Sequence, residues 1–219
     1  AFFDGETESV SLNAIPGMPA GPSRMGHALR CILGRNNGHQ VVLLEGHRHL
    51  CEGYGVLPCI LPICASISCG VRNVILLSTV SGLRDDYRPG TWVVASDYIN
   101  NLGHSSFVVL EGLPDVLDFD MSAVFSQELN AGIINASASV DMTLRVGVYQ
   151  ANLGPQLETP AETETARANG ADVLGRSVVL EAMAAHALGA RVAAIGLVVG
   201  NAPTTSNRYV DATDRKSVV

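Results

Sequence analysis

The segment Asn152-Leu-Gly-Pro-Gln-Leu-Glu-Thr159 separates two stretches of different hydrophobic period, and its reading decides the fold. Before it, Leu144–Ala151 is a continuous apolar run of the length of a buried strand. After it, Thr159-Pro-Ala-Glu162 has the form of a capping box, with Thr at the N-cap, Pro at the first helical position and Glu at the third. The helix that starts there is predicted to run to Asn169, with Gly170 as its stop. A short strand over Ala171–Leu174, a helix over Val178–Leu188 ended by Gly189, and a strand over Arg191–Val199 follow. Alternation of strand and helix predicts parallel strands joined by crossover helices. Ligands of such sheets bind beyond the carboxyl ends of strands. Glu158, Ser177 and Asn201 all fall just past strand ends, so the expectation is that they share one rim.

Working toward the N-terminus, Phe125–Ile134 has a moderate helical pattern, and residues 104–120 carry turn signals of a surface loop. Trp92–Ala95 and Val74–Leu77 read as strands. The hydroxyl-rich Ser78–Leu83 reads as a loop after the second of these, able to offer backbone N–H groups to an anion or to be a plain turn. Pro58 and Pro62 argue against a regular helix at the start of the apolar Leu57–Cys69 segment, which leaves a helix from about Leu61 to Ser68. Ala28–Leu33 and Gln40–Glu45 read as a hairpin with an Asn-Gly turn, and Phe2 and Phe3 as candidates for an edge strand. Ala202–Val219 is polar without clear period: a loop with a tail, or the beginning of a helix.

Composition bounds the function. With 219 residues, 47% apolar and 16% charged, one domain with a large core is the default, and the 22 glycines suit many tight turns. A formal net charge of −7 argues against a general binder of nucleic acid or anionic membrane. No apolar run reaches transmembrane length, and the N-terminal residues do not resemble a signal peptide. Five cysteines without a CxxC pair point to buried free thiols in a reducing, cytoplasmic setting rather than to zinc or disulfides.

Gly46-His-Arg-His-Leu-Cys-Glu-Gly-Tyr54 gathers His47, Arg48 and His49 after a strand. In extended backbone His47 and His49 face one way and Arg48 the other. The cluster reads as an anion site or as a solvated loop. His-x-His as a metal site is weaker, because spacing places no third ligand.

Four segments together resemble the trimeric purine nucleoside phosphorylases. Gly46–Tyr54 is similar to their Gly-Arg-x-His-x-Tyr-Glu-Gly motif, and Gly154-Pro-Gln-Leu-Glu-Thr159 with Tyr149 to their Gly-Pro-x-(Phe/Tyr)-Glu-Thr loop. Gly175-Arg-Ser-Val-Val-Leu-Glu181 resembles Gly-Met-Ser-Thr-Val-Pro-Glu, and Ser78–Leu83 resembles Asn-Ala-Ala-Gly-Gly-Leu. The matches run in order from about Gly26 to Asn201.

The resemblance implies a mixed, partly closed β-sheet flanked by helices. It implies reversible phosphorolysis of a purine nucleoside, 6-oxopurine by the N1–H that Glu158 would accept, to free base and ribose 1-phosphate. It implies Glu158, Asn201 and His49 as catalytic residues, with Asn201 one residue late for the purine-binding asparagine, where Gly200 is the alternative. Phosphate would fall to His47, Arg48, His49, Thr79 and Ser177, though Ser177 also reads as a helix N-cap. Ribose would fall to Tyr149, Arg176 and Cys51. It implies a cytoplasmic homotrimer with phosphate as substrate and no metal or organic cofactor.

Departures from the pattern also count. His47 stands for the family's arginine, Cys51 for a tyrosine, Arg176 for a methionine, and Ser78 and Thr79 for Asn and Ala. The family's opening strand with its Gly-Ser-Gly phosphate loop, and its C-terminal helix with a ribose-contacting histidine, find no counterpart between Ala1 and Val219. The expectation is a single domain lacking both, and three readings: an active phosphorylase, a non-catalytic paralogue that assembles with itself or an active subunit, or an enzyme for an altered nucleoside.

Overall fold

The computed structural model describes residues 2–23, 25–110, 119–140, 142 and 144–203. The predicted reading of Ala202–Val219 lies almost wholly outside them. Among these residues the order is β1 (Glu8–Ser11), β2 (Arg30–Asn36), β3 (His39–Glu45), α1 (Leu57–Ser68), β4 (Asn73–Gly82) and β5 (Trp92–Asn101). α2 (Gln127–Ser137), β6 (Leu144–Asn152), α3 (Pro160–Ala168), β7 (Val173–Gly175), α4 (Val179–Ala187) and β8 (Arg191–Asn201) complete it.

β1, β2 and β3 form an antiparallel sheet, and β4-β7-β6-β5-β8 close into a barrel. The mixed sheet flanked by helices is as expected, and its five barrel strands close on themselves. β5, β6 and β7 are mutually parallel, β4 and β8 are parallel to each other, and the two sets run in opposite directions. The expectation of one rim of carboxyl ends therefore does not hold: β8 pairs with β4 and β5, not with β7, which precedes it in the chain.

The hairpin forms as read. Asn37 (φ 48°) and Gly38 (φ 78°) both take the left-handed conformation that a two-residue I′ turn needs. Phe2 and Phe3 are not on a strand: β1 is the edge, and the Phe3 ring lies over Gly34, where any Cβ would strike it. Ser78–Gly82 is strand rather than loop, because the backbone of β4 pairs with β8 to its last residue, with a register shift at Val80/Ser81. In the same way β5 continues through Asp97–Asn101 against β6. β4 meets β7 only at Ser81 and Gly82. Helix α1 starts earlier than predicted, since Pro58 occupies the first turn, where no N–H partner is required, and Pro62 is tolerated within.

The core sits between the barrel and α1 and α4. Ile60, Ile63 and Ile67 of α1, the fully buried Val179, Ala182, Ala184 and Ala185 of α4, and Val93, Val192 and Val198 of the barrel are part of it. Alanines on α4 let it approach α1 and β8 closely. No helix among the described residues is long and apolar enough to cross a membrane.

The capping box of α3 is formed in full: Glu162 N–H donates to Thr159 Oγ1 at 3.3 Å, and Thr159 N–H donates to Glu162 Oε2 at 2.7 Å. Thr159→Ala is expected to lower stability by about 1 kcal/mol, measured by chemical denaturation. A loss near zero would mean that this turn is held by the preceding loop alone.

Candidate functional site

The turn after β3 reverses the chain at Gly46, whose φ is 86°. The alternation predicted for the next residues is present, and the side chains have different fates. Arg48 turns inward and is 1% exposed. Its guanidinium donates to the carbonyls of Pro19 (3.1 Å), Gly21 (2.6 Å) and Pro22 (2.9 Å), to Asn13 Oδ1 (3.3 Å) and to Glu52 Oε2 (3.1 Å). Glu52 also accepts from His49 N–H at 2.8 Å. Those bonds commit the Arg48 guanidinium to tying residues 13–22 onto the turn.

His47 and His49 turn the other way and meet His27. The ring centroids lie 4.4 Å (His47–His49), 5.0 Å (His27–His49) and 5.1 Å (His27–His47) apart. Nε2 of His47 is 3.3 Å from Nε2 of His49. Burial, then the neighbouring imidazoles, lowers His47 to about 4 and His49 to about 3. Both rings are therefore neutral near pH 7 and present lone pairs rather than charge. Glu181 of α4 faces His47 Nδ1 at 3.6 Å and accepts from Val178 N–H at 2.7 Å. Burial raises its carboxyl to about 7.

A second cluster joins hydroxyls from β4, β6 and the turn after β7. Ser78 Oγ of β4 lies 3.1 Å from Ser177 Oγ and 3.4 Å from the Tyr149 hydroxyl of β6, and Ser177 N–H donates to that hydroxyl at 3.4 Å. Tyr149 is buried, which pushes its phenol up. The Tyr149 hydroxyl reaches this place only because residue 175 is glycine: a Cβ there would overlap it. Ser177 is not the helix cap, since Glu181 takes the Val178 N–H at that terminus.

Arg176 lies along Gly154, where a Cβ would strike its side chain, and donates to the Gln156 carbonyl at 2.7 Å. It thereby pins the loop that carries Glu158. Glu158 Oε1 accepts from Asn152 Nδ2 at 3.0 Å, and Asn152 Oδ1 in turn accepts from Asn101 (2.9 Å) and Gln150 (3.0 Å). The ends of β5 and β6 thus orient this carboxylate. His47, His49, Arg176, Ser177 and Glu181 line one small pocket.

Other expected site residues lie elsewhere. Thr79 is exposed within β4, opposite Leu197 of β8. Asn201 is exposed at the end of β8, opposite Gly82. Cys51 sits in the turn at Leu50–Glu52, with its thiol raised by burial. His27 was not singled out in the sequence. Only the pairing of β2 with β3 brings it to the histidine pair, and Gly46, where a Cβ would collide with His27, was its one local signal.

The phosphorylase superfamily model matches residues 4–218. The chain belongs to this superfamily. Purine nucleoside phosphorylase 1 of Geobacillus stearothermophilus is 30% identical over 213 residues, covering 94% of this chain and 77% of that protein. Purine nucleoside phosphorylase of Mycobacterium leprae is 33% identical over 177 residues, covering 81% of this chain and 62% of that one. The chain thus spans about three quarters of the first relative's length and under two thirds of the second's. The crystal structure of isoform 2 of purine nucleoside phosphorylase from Schistosoma mansoni, in complex with cytosine and ribose-1-phosphate, superposes with a TM-score of 0.76 at 28% identity, covering 90% of this chain and 70% of that one. A second Schistosoma mansoni purine nucleoside phosphorylase structure gives 0.79 at 25% identity, covering 93% and 78%. By family the phosphorylase-like chain is a divergent, purine nucleoside phosphorylase-like pentosyltransferase.

In this phosphorylase fold the Tyr149 hydroxyl is a structural link as much as a candidate ribose contact. Tyr149→Phe strands the Ser177 N–H and is expected to cost about 1–3 kcal/mol, read from denaturant midpoints. No loss of stability would mean that Ser78 alone satisfies Ser177.

Proposed function

We propose that this chain catalyses reversible phosphorolysis of purine nucleosides to the free base and ribose 1-phosphate. The observation that carries the reading is Glu158, held at the end of β6 by an amide chain through Asn152 to Asn101 and Gln150, on a loop that Arg176 pins. An ionised carboxylate has about four lone-pair sites, and Asn152 takes one of them. The remainder suits a donor on the ligand, and the N1–H of a 6-oxopurine is such a donor, whereas adenine has none there. The transition state builds positive charge on the sugar and negative charge on the departing purine. A preoriented acceptor for N1–H favours the purine as it leaves, and phosphate beneath the sugar would be met by Ser177 and His49. Tyr149 and Cys51 would face the ribose. Asn201 enters the reading only if the end of β8 approaches the base. Phosphate is a substrate here and no organic cofactor takes part. A cytoplasmic homotrimer, with sites near subunit contacts, completes the reading.

One observation favours the alternative of a non-catalytic paralogue. Arg48 is spent on structure, and the residue in the arginine's place in the motif, His47, is neutral.

Purified protein with inosine or guanosine is expected to release free base only when phosphate is present. Glu158→Ala should lower that turnover at least about 100-fold and leave the fold unchanged, since the residue lies on a loop. Release without phosphate would replace phosphorolysis by hydrolysis. No release from the folded protein would favour the paralogue. Unchanged turnover in the variant would remove Glu158 from the mechanism.

A further inference from the structure

We propose that His27, His47 and His49 form a three-histidine binding site for a divalent zinc ion. The site shares His49 with the phosphate position of the proposed reaction, but zinc binding is read without turnover. Each of the three residues presents a ring nitrogen, and the three atoms lie within 4.8 Å of one another. A tetrahedral zinc ion with Zn–N bonds of 2.0–2.1 Å separates its nitrogens by about 3.3 Å. The Nε2 atoms of His47 and His49 are already 3.3 Å apart. His27 approaches on the same side, its ring stacked on His49 at an interplanar angle of 8°. Binding would draw the His27 nitrogen, now within 4.8 Å of the other two, in to that separation.

The surroundings suit an ion. Neutral imidazole nitrogen is a common ligand for zinc, and His47 and His49 set two such nitrogens side by side. Ligating histidines are oriented by a carboxylate on their other nitrogen. Glu181 stands in that position, 3.6 Å from His47 Nδ1, and is itself fixed by Val178 N–H. Without an ion the cluster is poorly satisfied. His49 Nδ1 is buried with no hydrogen-bond partner among the described residues. Glu52 brings negative charge near the rings, and Arg176 brings positive charge near His49. Three protein ligands leave a tetrahedral ion one open position. His27, His47 and Glu181 border a cavity of about 350 Å³ from which water or an anionic oxygen can reach it.

The sequence supplied His47 and His49 without a third ligand. His27 is twenty residues upstream of His47, and the β2–β3 hairpin returns the chain to it.

The test is direct. The protein is stripped with a chelator, dialysed, and titrated with zinc chloride. Inductively coupled plasma analysis after gel filtration is expected to find one zinc per chain. Cobalt(II) in its place is expected to give the intense visible absorption of tetrahedral coordination, without a thiolate-to-metal band. His27→Ala and His49→Ala should each weaken zinc binding at least about 100-fold, and Glu181→Gln by about 10–100-fold, with folding of each variant checked by circular dichroism. Substoichiometric zinc in the unaltered protein overturns the proposal, whatever the variants do. So does a thiolate band, or affinity unchanged in His27→Ala.

Discussion

The buried guanidinium of Arg48 is the constraint on which the site depends. It sits under the turn after β3 and gathers carbonyls from Pro19 to Pro22, while Glu52 neutralises it and holds His49 N–H. A buried charge of this kind is tolerated only when it is paired, and removing Glu52 would leave it uncompensated. Two consequences follow from period-two backbone. With residue 48 turned inward, residues 47 and 49 must turn to the opposite side. The same arginine docks the segment that leads into His27, so one side chain sets both halves of the histidine cluster.

Compared with the pattern that the motifs resemble, residues 47 and 48 have exchanged duties. The arginine has gone into the structure, and a histidine faces the pocket. Arg176 shows a similar change, since its side chain reaches back to Gly154 and Gln156 rather than standing free beneath a sugar. The cations near the pocket therefore organise backbone, and what faces the interior is a set of neutral imidazoles, hydroxyls and one carboxylate.

The parts of this arrangement that depend on neighbours in sequence were legible. The capping box at Thr159, the Asn-Gly hairpin and the opposed directions of Arg48 and its flanking histidines all follow from local rules, and all are present. The sequence implies a shorter α1 because Pro58 counts locally as a breaker, whereas the first turn of a helix accepts it. The hydroxyl run of β4 reads as a loop by composition, yet β8 holds it in the ladder, and β6 likewise carries β5 on past Ala95. Composition describes what a segment prefers alone, and closure of the barrel outweighs that preference. Strand direction was also beyond local reading: β7 and β8 follow each other through α4, as a parallel pair would, but β4 separates them. His27 was invisible for the related reason that its partners are distant in the chain.

Gly46 carries two demands at once. Its φ of 86° is one that side chains rarely adopt, and His27 occupies the place a Cβ would take. Substitution there would alter the path of the chain and push His27 away from the other two rings in a single step. In a saturation library scored separately for abundance and for metal content, this position would couple the two scores, because no substitution could relieve one demand without meeting the other. The mutational tolerance of the histidine cluster is thus limited first by a residue that offers no side chain.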